Sequence, residues 1–224
     1  MNLRGKTVLV TGAAGALGQA VSKKASTYGA KVIGLDIVDS PRLECVEEYR
    51  KVDLLSAADT QNCIEQLHDI DALLNIAGGF DMGASASDAS DEQWDSMFNV
   101  NVTTMRNATR AVVPGFLEQG RGSIVNIGAL SALSGAPSMS AYCCAKSAVM
   151  RLTESLSEEL KTSGINVNAV LPSIIDTPAN RDDMPDANFA DWVPAEKLAE
   201  VICFLASDSA SAIHGALLPV KGLV

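Results

Sequence analysis

Short apolar runs alternate with amphipathic stretches along the chain. Lys6–Thr11 (with TVLVT), Lys31–Asp36 (VIGLD), Tyr49–Val52, Ala72–Ile76 (LLNI), Ser123–Ile127 (SIVNI), Asn166–Leu171 and Ala216–Val220 read as strands. Helical spacing of apolar positions fills Ala16–Tyr28, closed by Gly29, then Ala57–Leu67, Asp91–Leu117, Tyr142–Lys161 and Ala195–Ala206. The long Asp91–Leu117 pattern is expected to bend or break near Pro114. Continuous apolar strands spaced by helices predict a parallel sheet covered on both faces, an α/β arrangement. Gly83–Asp91, rich in Ser, Ala and Asp, reads as a solvated loop. Asp176–Val193, rich in Pro, Asp and Asn, follows the sixth strand at the edge where such sheets bind ligands, and reads as a substrate lid or a surface loop.

Composition narrows the function classes. The chain has 224 residues, 47% of them hydrophobic, enough for one domain with a large core. A net charge of -10 argues against nucleic acid or an anionic membrane as main partner, leaving a small-molecule substrate. No apolar run is long enough to span a bilayer. Cys45, Cys63, Cys143, Cys144 and Cys203 form no CxxC pair and fit free thiols in a reducing compartment. No metal-ligand cluster stands out, since His68 and His214 are far apart. With no signal-peptide pattern at the start, a cytoplasmic enzyme is expected.

Three local patterns carry candidate chemistry. Thr11-Gly12-Ala13-Ala14-Gly15-Ala16-Leu17-Gly18 leaves the first strand and opens a helix, a setting in which glycines let the backbone approach a pyrophosphate at the helix N-terminus. Asp36 ends the second strand, where a carboxylate can accept hydrogen bonds from an adenosine ribose and repel a 2′-phosphate. NAD(H) is therefore favoured, with NADP(H) possible. Tyr142 and Lys146 stand four apart on a helix face. An ammonium near the phenol would lower its pKa and make it a usable acid or base, although the spacing alone also fits two ordinary helix residues.

TGAAGALG, Asn75-Ile76-Ala77-Gly78, Asn101 in NVNVT and Tyr142-x3-Lys146 come in the order and spacing of the short-chain dehydrogenase/reductase family, which the whole chain resembles. The resemblance implies a three-layer, doubly wound Rossmann fold with a parallel sheet of about seven strands, one NAD(P)-binding domain spanning 1–224. It implies that Gly12, Leu17 and Gly18 line the pyrophosphate, with Ala16 where the family has its middle glycine. Asp53 and Leu54 match the adenine contact, and Asn75, Ala77 and Gly78 match a turn supporting the sheet and the ribose. Asn101 would hold a water in the proton relay, Tyr142 would be the general acid/base and also contact the cofactor, and Lys146 would hold the nicotinamide ribose and depress the tyrosine pKa. Pro172, Ile175 and Thr177 match the segment that fixes the carboxamide, while Asn101 and Thr177 also read as capping residues.

One expected group is missing. The family carries a serine thirteen residues before the tyrosine, where this chain has Ala129; Ser131, two positions on, is the candidate replacement. GALSALSGAPSMSAYCCAK, AGGF and the lid stretch from Asp176 to Pro185 are similar to dihydropteridine reductases, which share the alanine. The resemblance thus implies hydride transfer between nicotinamide and a carbonyl or alcohol, or a quinonoid dihydropterin-like C=N. The alternative is a catalytically silent NAD(H)-binding sensor or scaffold. A homodimer or homotetramer is expected, because Asp91–Leu117 and Tyr142–Lys161 resemble helices that pair into a four-helix interface in the family.

Overall fold

The computed structural model describes residues 2–39 and 41–224. Seven strands form one parallel sheet: β1 (Thr7–Thr11), β2 (Lys31–Asp36), β3 (Glu48–Lys51), β4 (Ile70–Asn75), β5 (Gly122–Ile127), β6 (Ile165–Pro172) and β9 (Leu217–Val220). They run in the order β3-β2-β1-β4-β5-β6-β9. Strand order reverses between β1 and β4, the switch point at which such sheets open a crevice at their carboxyl ends.

Every central strand is apolar on both faces, and the period of two divides it between two cores. Val8 and Val10 of β1, Ala72 and Leu74 of β4 and Val125 of β5 face a layer containing Val21, Leu198 and Ile202. These last three lie on α1 (Ala16–Thr27) and α7 (Ala195–Leu205). Leu9, Leu73 and Ile124 face the other way, toward Ala108, Val112, Phe116 and Leu160. That second layer is built from α4 (Thr104–Gln119) and α5 (Ser140–Leu160), with α2 (Ala57–Glu65) supplying Ile64. Each fully buried Leu or Ile stabilises the fold by about 1.5–3 kcal/mol relative to its exposed state, so the two cores hold the sheet's carboxyl edge firmly in place.

The expected strands and helices are present, with shifts of one or two residues at their ends. Three features differ from expectation. The long helical stretch does not break at Pro114: α4 runs through it, because Pro114 lies on the exposed face where water can take the orphaned carbonyl. The irregularity lies earlier. α3 (Asp91–Phe98) passes through a π-helical turn, Asn99–Thr103, into α4. The third difference is the stretch 176–193, which is partly ordered. β7 (Ile175–Asp176) pairs with β8 (Val193–Pro194), and α6 (Pro178–Asp183) lies between them.

Arg181 of α6 is bidentate to Asp176, at 2.6 and 2.7 Å, and stacks over Phe189. Phe189 in turn packs on the buried Trp192. Arg181 is thus folded back on its own segment. No helix among the described residues is long and apolar enough to cross a membrane.

Candidate active site

The carboxyl ends of β1, β2, β4, β5 and β6 bring the singled-out residues to one edge. Between β1 and α1 the chain turns at Gly12, whose φ of +64 suits glycine; a Cβ there would stand 2.8 Å from the backbone of Ala77. A Cβ on Gly18 would come within 2.0 Å of the Gly12 carbonyl oxygen. Both glycines therefore let three backbone segments cross closely. α1 starts at Ala16 with no side-chain cap on Gly15 and no acidic residue in its first turn. By contrast, α3 is capped by Ser90 and carries Asp91 and Glu92. The positive end of α1 is thus left for an anion, and its cradle fits the pyrophosphate of a dinucleotide.

Asp36 faces this turn. Its Oδ2 accepts from the Ala14 amide at 2.9 Å, and its Oδ1 accepts from the amides of Ile37 and Val38. A carboxylate has about four acceptor sites, so the fixed group retains capacity for a ribose hydroxyl. Asp53 Oδ1 accepts from the Leu55 amide, while Asn107 donates to the carbonyls of Leu54 and Leu55. Ile37, Val38 and Leu55 stand exposed in this region, apolar surface that suits the flat face of a base.

Asn75 donates to Asn126 and Thr109 from the buried end of β4, and Asn126 donates on to Thr153. The Ala77 amide donates to the Thr11 hydroxyl. Asn101 sits in the π-helical turn and grips Gly79 twice, accepting from its amide at 3.1 Å and donating to its carbonyl at 2.9 Å. A Cβ on Gly78 would meet Asn101 Oδ1 at 2.9 Å and Lys146 Nζ at 3.3 Å, so glycine there admits both side chains. A π-turn shifts the register of a helix's hydrogen bonds and recurs at functional sites.

Tyr142 lies in the first turn of α5, and Lys146 one turn on. Lys146 is buried, donates to the Ile127 carbonyl at 2.9 Å, and stands 5.9 Å from the Tyr142 ring centre. Tyr142 is half-buried, packs with Ala129, Ala132, Met150 and Leu171, and meets the Phe80 ring edge-on at 4.9 Å. Among the described residues its phenol has no hydrogen-bond partner. The expected lowering of its pKa is not what this environment produces: burial, aided by Cys143, pushes the phenol up to about 12. Burial also brings the Lys146 ammonium down to about 8. Residue spacing placed the pair on one helix face, but it carried no information about desolvation.

Ser131 lies half-buried in a 3-10 turn, Leu130–Leu133, with its carbonyl 3.5 Å from Cys143 Sγ. Its hydroxyl also has no partner among the described residues. Pro172 closes β6, Ile175 opens β7, and Thr177 caps α6 by accepting from the Asn180 amide. Thr177 keeps its own O–H as a donor. A cavity of about 760 Å³ lies between α1 (Ala16, Gln19, Ala20 and Lys23) and Thr177, Pro178 and Arg181; Tyr142, Lys146 and Ser131 are not among its lining residues.

Residues 6–188 match the family model described as short chain dehydrogenase. The chain belongs to the short-chain dehydrogenase family. As a member it is an NAD(P)-linked oxidoreductase, and its seven-stranded parallel sheet flanked by helices is that of the fold. It is 32% identical to the 3-oxoacyl-[acyl-carrier-protein] reductase FabG of Thermotoga maritima, covering 99% of this chain and 98% of that one. It is 31% identical to the short chain dehydrogenase adrF of Penicillium rubens, covering 95% and 94%. A structure of a putative NAD(P) dependent gluconate 5-dehydrogenase from Beutenbergia cavernae, with bound NADP, superposes with a TM-score of 0.89 at 28% identity, covering 99% of this chain and 97% of that one.

Sequence reasoning passed over Thr11, Asn107, Asn126 and Phe80 as site residues. Thr11 and Phe80 were visible beside glycines of the quoted motifs, whereas Asn107 and Asn126 declare themselves only through contacts across the fold. In this short-chain dehydrogenase the buried lysine sets an expected pH profile. kcat/KM for reduction is level below pH about 8 and falls above it, as Lys146 loses its charge while Tyr142 keeps its proton. Lys146→Arg should move the fall to higher pH, and an alkaline limb unmoved in that variant would detach it from Lys146.

Proposed function

We propose that the chain acts as an NADH-linked reductase in which Tyr142 gives the proton and Ser131 donates a hydrogen bond to the substrate. The substrate is read as a flat, activated C=N system of the quinonoid dihydropterin kind. The observation that carries this is the wall around Tyr142. Ala129, 3% exposed, leaves an apolar surface with Ala132, Met150 and Leu171, while the phenol and the Ser131 hydroxyl are left unpartnered among the described residues.

The bound cofactor supplies the hydride. Tyr142, still protonated far above neutral pH, suits the donor role in reduction; oxidation needs its phenolate and is therefore favoured by rising pH. Lys146, charged below about pH 8, places a cation beside the Gly78 turn to hold a ribose hydroxyl. Asn101 orders Gly79 and the π-turn from which a relay water is held. Phe80, half-exposed and edge-on to Tyr142, offers a flat ring an aromatic contact. Asp36 supports NADH over NADPH.

The chain is read as a cytoplasmic homodimer or homotetramer, with α4 and α5 as the pairing helices. Light scattering at or above twice 23.4 kDa supports that assembly, and a monomer contradicts it.

The test is NADH against NADPH binding, followed by turnover on quinonoid dihydropterin, β-ketoacyl thioesters and simple ketones. NADH oxidation with the pterin is expected. Turnover confined to ketones or thioesters would end the pterin reading. In the same assay Ser131→Ala should lower kcat by about 10²-fold with NADH affinity unchanged; wild-type turnover would remove Ser131 from the mechanism.

A further inference from the structure

The crossover between β2 and β3 is unlike the others. Parallel strands are ordinarily joined through a helix, yet the described residues of 37–47 contain none. Leu43 and Val46 pack into the core beside α1 instead, and the Glu47 amide donates to the Val32 carbonyl. Val46 and Ala13 press on Gly34, where a Cβ would stand 2.9 Å from Ala13 Cβ and 3.1 Å from Val46 Cγ1. Tyr49 lies opposite Gly34 in the β2–β3 register, and its ring would be 3.5 Å from that Cβ. The bare glycine thus gives the tyrosine its seat.

From there the Tyr49 hydroxyl reaches the backbone just past β2. It donates to the Val38 carbonyl and stands 3.3 Å from the Asp36 carbonyl, which also accepts from the Val52 amide at 2.8 Å. Among the described residues, no other side chain besides that of Asp36 itself hydrogen-bonds the backbone of 36–38. The amides of Ile37 and Val38 in turn hold Asp36 Oδ1. A chain of contacts therefore runs from one phenol, through two carbonyls and two amides, to the carboxylate at the end of β2. The Lys51–Asp39 ion pair, at 2.7 Å, ties the next residue of the same segment to β3.

We propose that Tyr49 is a positioning residue for the adenosine half of the cofactor: by clamping the carbonyls of Asp36 and Val38 it aims the Asp36 carboxylate at the ribose and stands in for the helix this crossover lacks. This rests on the reading of Asp36 as the ribose acceptor. Burial, with Asp36 and Asp39 nearby, raises the Tyr49 pKa, which favours the protonated, donating hydroxyl.

Tyr49→Phe keeps the ring on Gly34 and removes only the clamp. Binding is measured by titration with two fragments: ADP-ribose, which carries the adenosine, and reduced nicotinamide mononucleotide, which does not. The dissociation constant for ADP-ribose should rise about five- to tenfold in Tyr49→Phe, with that for the mononucleotide unchanged. In the cofactor-free protein, amide exchange at Ile37, Val38 and Asp39 should quicken. Equal ADP-ribose affinity, a loss shared by the mononucleotide, or unchanged exchange overturns the proposal. Asp36→Ala is the companion variant. Wild-type ADP-ribose binding there would remove the ribose reading and the proposal with it; a loss there with none in Tyr49→Phe would remove the role of Tyr49 alone.

Discussion

Tyr142→Phe is expected to lower kcat by about 10³-fold, within the range general acid catalysis contributes, while NADH affinity stays within about twofold. The phenol has no hydrogen-bond partner among the described residues, and its pKa of about 12 keeps it protonated at neutral pH. Removing the oxygen therefore strips out the proton source without unpairing a protein group. The ring contacts with Phe80 and with the Ala129 cluster survive the substitution, so the melting temperature should hold. Steady-state kinetics with an NADH titration check both halves. A matched loss of kcat and NADH affinity would instead mark Tyr142 as a cofactor contact and not the acid.

Gly18→Ala should be the most damaging single-methyl change on the cofactor side. The added carbon would lie 2.0 Å from the Gly12 carbonyl oxygen and 2.8 Å from Ala13 Cα, both backbone atoms with no flexible side chain to yield. Relief requires α1 to lift from the turn that it helps to form. Overpacking of this kind costs about 3 kcal/mol, which for a chain of this length lowers Tm by roughly 6–12 °C. NADH binding should weaken by about 100-fold or more, since the amides that form the anion cradle are the ones displaced. Gly15→Ala is the control: its Cβ would stand 3.4 Å from the Gly12 carbonyl oxygen, an easily accommodated contact, so Tm should stay within about 2 °C. Equal melting of the Gly18→Ala and wild-type proteins would refute the close crossing.

Much of this site is legible in the sequence. The sheet was readable because buried parallel strands are apolar on both faces: TVLVT and SIVNI cannot be mistaken for solvated loops. The glycine-rich turn was readable because positive φ and close backbone approach leave few alternatives to glycine. Other features depend on tertiary context. Pro114 is a strong local signal for a break, but exposure lets α4 absorb it, while the π-turn at Asn99–Thr103 has no sequence mark of its own. The short strands β7 and β8 have only two residues each, too few to show a period. The pKa of Tyr142 depends on how deeply its neighbours bury it. Tyr49 was visible only as part of a strand; its proposed role rests on a crossover with no helix among its described residues and on a glycine one strand away.

We propose that this chain moves a hydride from the nicotinamide to its substrate and does more than hold the cofactor. The most direct measurement compares NADH with NADH deuterated at nicotinamide C4 in single turnovers with the substrate that the panel identifies, reading transfer on the cofactor because a hydrogen delivered to a pterin nitrogen exchanges with water. The predicted result is conversion of NADH to NAD+ in step with substrate reduction, slower from the deuterated cofactor than from NADH in a single turnover, and about 10³-fold slower with Tyr142→Phe. Tight NADH binding with no NADH oxidation by any member of the panel would contradict it.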